Sequence, residues 1–142
     1  MALSLLTFSP LELCDRGEYE AAAEMLGLTV GEWPSRGVQG NSEHAEAILV
    51  AGIITSTIGG IQLSTDQGVA REMLNESIRL FGDDPRSLIA ESWLAWADYR
   101  AGDLDGALTA AARLLDEPLD TKTRFRLLLL RAAVYLDRGF HD

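Results

Sequence analysis

The side chains of this chain best able to do chemistry are two histidines, one cysteine, a double glycine and a set of carboxylates. His44 stands in "NSEHAEA" with Glu43 and Glu46 beside it. A metal centre would need further ligands at suitable spacing, and the stretch reads instead as a solvated capping turn. His141 falls in the terminal phrase "DRGFHD". Cys14 has no histidine near it to act as a base, so it reads as a buried structural thiol. Gly59 and Gly60 in "TIGGIQLSTDQG" match neither the phosphate-binding loop nor the dinucleotide fingerprint, and no Lys-Ser or Lys-Thr pair follows. They read as an interhelical turn. Asp83, Asp84, Asp103, Asp105, Asp116, Glu117 and Asp120 gather at segment ends without calcium-loop spacing, where turn and cap chemistry accounts for them. The expectation is no enzyme, no cofactor and no metal.

The elements that position these residues are helical. The chain has 142 residues, is 47% hydrophobic and only 7% aromatic, a balance that favours helices over a β-sandwich. Its prolines, Pro10, Pro34, Pro85 and Pro118, all stand near segment edges. Seven helical segments are expected: Pro10 to Arg16, Glu18 to Leu26, Ser42 to Ile58, Thr65 to Phe81, Pro85 to Arg100, Leu104 to Asp116 and Thr121 to Arg138. Ser9 and Ser42 are placed to cap the first and third, and Asp120 or Thr121 the last. A long glycine-rich loop, Gly27 to Asn41, separates the second and third segments.

A formal net charge of −10 argues against nucleic acid or an anionic membrane as partner. The local exception is "TKTRFRLLLLR", with Lys122, Arg124, Arg126 and Arg131. A single cysteine allows no internal disulfide, "MALSLLTFSP" lacks a basic leader region, and "AILVAGII" is too short to span a bilayer. The expected location is cytoplasmic.

Gly17, Gly59, Gly102 and Gly139 recur at intervals of roughly forty residues, the mark of stacked helix–turn–helix hairpins. The expected fold is all-α, a right-handed helical-hairpin solenoid. Residues 1–142 form one unit with hairpins over 9–26, 42–81 and 85–117 and a half-repeat over 121–142. Because the turn is written in "DRGFHD" and the following helix is missing, the chain reads as part of a longer protein.

The stretch "AESWLAWADYRAGDLDGALTAAARLL", Ala90 to Leu115, resembles a tetratricopeptide repeat (TPR). Leu94 and Ala95 stand where that family has its Leu-Gly pair. Tyr99, Gly102 and Ala107 match the end of the first helix, the turn and the first small residue of the second. Gly17, Tyr19 and Ala22 repeat the offsets, as do Ala132, Tyr135 and Gly139. Ala51, Gly52 and Gly59 fit a second copy, and Ala70 joins them if about six residues are inserted. The family's usual tryptophan position is Glu91 here, and Trp93 and Trp96 lie off it. The runs "RGEYEAAAEMLGLTVGEW" and "AREMLNESIRLFGDD" are similar to N-terminal arrays of multidomain bacterial regulators. Some of those precede AAA+ domains of enhancer-binding transcription activators, others signalling or protease-like domains.

The resemblance implies a non-catalytic protein–protein interaction module that holds a protein or peptide segment in a groove, serving as the regulatory domain of a larger bacterial signalling or transcription-regulatory protein. Projected onto this chain, the groove takes Glu46, Leu49, Ile53, Trp96, Tyr99, Arg100, Arg126 and Leu129, with Ile89 beside them. Trp93 and Trp96 are each either core or groove, and Trp33 either plugs the first hairpin or stands as an exposed anchor. Two alternatives remain open: a small-molecule sensor with residues 27–41 as lid, and a structural homodimer. The dimer would form through the C-terminal helix, where Leu128, Leu129, Leu130, Val134 and Tyr135 lack a covering partner.

Overall fold

The computed structural model describes residues 8–37, 40–62 and 67–139. Helices α1 (Pro10–Asp15), α2 (Tyr19–Leu26), α3 (Asn41–Gln62), α4 (Gln67–Phe81), α5 (Arg86–Arg100), α6 (Leu104–Leu114) and α7 (Thr121–Gly139) follow one another, and no strand occurs among the described residues. The protein is all-α.

Local chemistry sets the ends. Ser9 and Glu12 form a reciprocal capping box at α1, with Pro10 in the first turn. Asp103 caps α6 by accepting from the Gly106 amide at 2.9 Å, and Asp120 caps α7 by accepting from the Thr123 amide at 2.7 Å. Gly17 and Gly102 take positive φ in the two tight turns, a conformation a side chain would strain.

The third helix departs from the sequence expectation. It begins at Asn41, one residue before the expected cap Ser42, and runs through Gly59 and Gly60 to Gln62. The glycine pair is therefore helical, not an interhelical turn, and the four spaced glycines do not mark equivalent points. The reason is burial. Ile48, Leu49, Val50, Ile53, Ile54, Thr55 and Ser56 are all enclosed, so packing on every side outweighs the poor helix propensity of glycine.

Each helix packs on the next, and α1, α3, α5 and α7 also pack in succession on one another. Along the chain, α2, α4 and α6 alternate with the members of that contacting series. Gly52 lets α3 approach α4 closely: a Cβ there would meet Leu74 Cγ at 2.8 Å. One core runs from α1 to α5 around Leu13, Leu49, Ile53, Leu74 and Trp93. A second joins α5, α6 and α7 around Ala95, Ala107, Leu114, Leu127 and Leu130.

The loop between α2 and α3 lies on the first core. Val30 packs against it, and the Gly31 amide donates to Thr55 Oγ1 at 2.9 Å. Trp33 is partly exposed rather than a buried plug. On α7, Leu127, Leu130 and Val134 face inward and are fully buried, while Phe125, Leu128, Leu129, Tyr135 and Leu136 are exposed. Leu130 and Val134 are thus core residues and offer nothing to a second copy. No helix among the described residues is long and apolar enough to cross a membrane.

Candidate functional site

A pocket of about 290 Å³ opens between α1, α5 and α7, with the first residue of α2 beside it. Its position follows from helix spacing. On α5, Trp93, Trp96 and Arg100 recur every three or four residues and so share one side. On α7, Lys122, Phe125, Arg126 and Leu129 do the same. Cys14 and Asp15 end α1 at the pocket, and Tyr19 begins α2 beside them.

Arg126 organises the wall. Its guanidinium lies 4.3 Å over the Trp93 ring and donates to Asp15 Oδ1 and Ser92 Oγ, each at 3.0 Å. Its carbonyl accepts from Trp96 Nε1 at 3.1 Å. Both members of the Arg126–Asp15 pair are largely shielded from water. Burial pushes the Asp15 carboxyl above its ordinary range, and the neighbouring guanidinium reduces that shift without cancelling it. The same burial lowers the affinity of Arg126 for its proton, with Asp15 acting in the opposite direction.

Arg100 is in a different position. Its guanidinium donates to Ser56 Oγ at 2.8 Å and lies 5.4 Å from the Trp96 ring centre. The Ser56 hydroxyl in turn donates to Gln67 Oε1 at 2.8 Å, and Gln67 Nε2 donates to the Ser56 carbonyl at 3.1 Å. Among the described residues Arg100 has no carboxylate partner. Burial lowers its pKa, partly offset by Tyr19 and Tyr99. A guanidinium stays charged even so.

The apolar part of the pocket is built from Trp96, Phe125 and Leu129. Phe125 is 60% exposed, unusual for a phenylalanine, and Leu129 is exposed beside it. Trp93 is almost fully buried, with Tyr19 edge-on at 6.4 Å, so it belongs to the core and forms the pocket floor. Its Nε1 is enclosed without an acceptor.

Of the residues projected from the repeat pattern, Trp96, Arg100, Arg126 and Leu129 come together here. Tyr99 does not line the pocket; it packs edge-on against Trp96 at 5.6 Å. Leu49 and Ile53 are fully buried and offer no surface. Glu46 is held by Arg86 at 3.1 Å on another part of the molecule, and Ile89 lines a separate hollow beside Pro118. Among the described residues, none of the loop 27–41 lines the pocket. Sequence reading missed Asp15, Tyr19, Lys122 and Phe125. The projection followed one repeat at a time, and α1 is brought to this wall by tertiary packing and by the pair Asp15–Arg126.

Burial pushes the Cys14 thiol up to about 12, far from a reactive thiolate. The His44 ring lies apart from the pocket, its Nδ1 buried without a partner. Among the described residues no three His, Cys, Asp or Glu side chains are grouped as a metal site would need. The chain matches no protein-family model, no curated protein and no solved structure.

Proposed function

We propose that this protein is a non-catalytic docking module. A helical-hairpin array of tetratricopeptide type would hold a segment of a partner protein in the concave pocket between α1, α5 and α7. The observation that carries this reading is the exposed pair Phe125 and Leu129 facing Trp96 across a cationic wall. Aromatic, aliphatic and arginine side chains gathered in a concavity are the materials of interface anchors. The contacts of α1 with α3, α3 with α5 and α5 with α7 support the array, because stacked hairpins bring their first helices together on the concave side. A cytoplasmic role in a larger bacterial regulatory protein belongs to the same reading and rests on the sequence resemblance.

A random peptide library displayed on phage tests the docking role. Peptides enriched on the wild-type protein should lose binding to the double variant Phe125→Ser, Leu129→Ser and keep it with Leu128→Ser, which alters a different side of α7. If no peptide is enriched, or enriched peptides bind the double variant equally, the docking role is wrong.

A second reading, a homodimer through α7, is favoured by a specific observation. Leu128 and Tyr135 are exposed, lie seven residues apart on one side of the helix, and that side is turned away from the buried stripe of Leu127, Leu130 and Val134.

A further inference from the structure

The pocket lining runs against the charge of the chain. The whole protein carries −10, yet the pocket gathers three cations, Arg100, Lys122 and Arg126, against the single carboxylate of Asp15. That carboxylate is committed to Arg126 at 3.0 Å. Lys122 stands exposed at the rim, and Arg100 sits in the wall, each without an ion pair among the described residues.

Arg100 is the informative one. A shielded charge is costly unless an opposite charge and hydrogen bonds compensate it. The only hydrogen bond described for its guanidinium goes to a neutral hydroxyl, Ser56 Oγ, leaving most of its five N–H donors uncommitted. Ser56 is fixed by its two bonds with Gln67, so Arg100 is held in place with donors to spare. Trp96 beside it keeps one face of the guanidinium against an aromatic ring.

We infer that the segment docked in this pocket is acidic: it presents a carboxylate side chain to Arg100, steered by Lys122, and sets a neighbouring apolar side chain on Phe125 and Leu129. This inference rests on the docking role above. A carboxylate is the group whose two oxygens match the planar fork of a guanidinium. The apolar neighbour is required because Phe125 and Leu129 adjoin the cations directly. Binding would supply the counter-charge that the fold withholds from Arg100.

The test uses fluorescein-labelled peptide pools of equal length, with leucine and phenylalanine at random around one fixed position. That position is Glu in one pool and Gln in the other. Fluorescence anisotropy on the full chain should show the Glu pool binding about tenfold tighter, the worth of a charge-assisted hydrogen bond. In Arg100→Gln the two pools should bind alike, the preference being read as the ratio of their affinities within that variant. If Arg100→Gln perturbs the fold, Lys122→Gln at the exposed rim reports independently, with the Glu-to-Gln affinity ratio falling about threefold. Equal binding of both pools, lost from both in the Phe125→Ser, Leu129→Ser variant, overturns the acidic preference and leaves the docking role standing. Binding of neither pool, or undiminished binding of both to that double variant, overturns the docking role itself.

Discussion

Asp15 and Arg126 lie 111 residues apart in sequence, and their side chains meet at 3.0 Å. The pair ties the first helix to the last, across α5, and the same guanidinium covers Trp93 and reaches Ser92. Removing the carboxylate leaves a shielded guanidinium without its ion-pair partner, with only the more remote charge of Asp120 acting on it. Asp15→Ala should therefore destabilise the protein by about 2–4 kcal/mol, more than an exposed pair would. Urea unfolding gives the number. A change below about 0.5 kcal/mol would mean that water compensates Arg126 and that the pair does not hold the ends together.

The pair also sets a pH dependence. The Asp15 carboxyl titrates above its ordinary range in the folded protein, chiefly through burial. In the unfolded chain it titrates near the usual value of about 3.9. Between those two values the folded state binds more protons than the unfolded one, so this residue's contribution to stability falls as pH rises through the window. Asp15→Asn has no titration at this position. The stability of the wild type relative to Asp15→Asn should thus decline from about pH 4 upward and level off once the folded carboxyl is ionised. A difference that instead grows with pH would show that Arg126 outweighs burial.

Most of the helices were legible in the sequence because their signals are local. Ser9, Asp103 and Asp120 are caps, Gly17 and Gly102 are turns, and the Ala-rich spacing of α6 matches its buried side at Ala107 and Ala111. The end of α3 was not legible. Gly59 and Gly60 carry a turn signal, and the enclosure of the helix from Ala47 to Thr57 and at Gly59 overrides it. The pocket was half legible. Trp96, Arg100, Arg126 and Leu129 follow from spacing on two helices. Phe125 shares that side of α7 but falls outside the repeat projection, and Asp15 does not follow from spacing, since nothing local records which helix end a guanidinium will find. Leu49 and Ile53 failed for the opposite reason: in a helix apolar on all sides, periodicity does not say which side is open.

Gly52 is a second point where local and tertiary preferences oppose each other. In an isolated helix, alanine would be better than glycine by about 1 kcal/mol. Here the added Cβ would stand 2.8 Å from Leu74 Cγ and 3.3 Å from Met73 Cβ, and both neighbours are fully buried. Overpacking of this kind costs about 1–3 kcal/mol. Gly52→Ala is expected to lower the melting temperature despite its helix propensity. A raised melting temperature would show that α4 can shift away from α3 freely.

Cys14 should be inert. It is buried, and desolvation, with the Asp15 charge adding to it, pushes its thiol up to about 12. An aromatic disulfide reagent at mildly alkaline pH should label it only as fast as the protein unfolds, so the rate should climb steeply with added urea. Asp15→Ala, by destabilising the ends, should raise the rate in water. Labelling as rapid as that of a free thiol peptide would place the sulfur in contact with solvent and put the packing of α1 in doubt.

The outer side of α7 gives the last prediction. Leu128 and Tyr135 are exposed on a side that also carries Arg124 and Arg131, while the pocket side of the same helix carries Phe125 and Leu129. The two sides are about a quarter turn apart, so one can be altered without the other. If α7 is a contact between copies, sedimentation at rising concentration should reveal a dimer. Leu128→Glu with Tyr135→Glu should return it to monomer with the melting temperature of the dissociated chain little changed, because neither residue belongs to the core. Phe125→Ser with Leu129→Ser should leave the dimer intact. A monomer at all concentrations removes the dimer. A dimer lost in the pocket variant instead would place the second copy in the concave pocket, and the acidic-segment assay would then have to be run on monomeric protein.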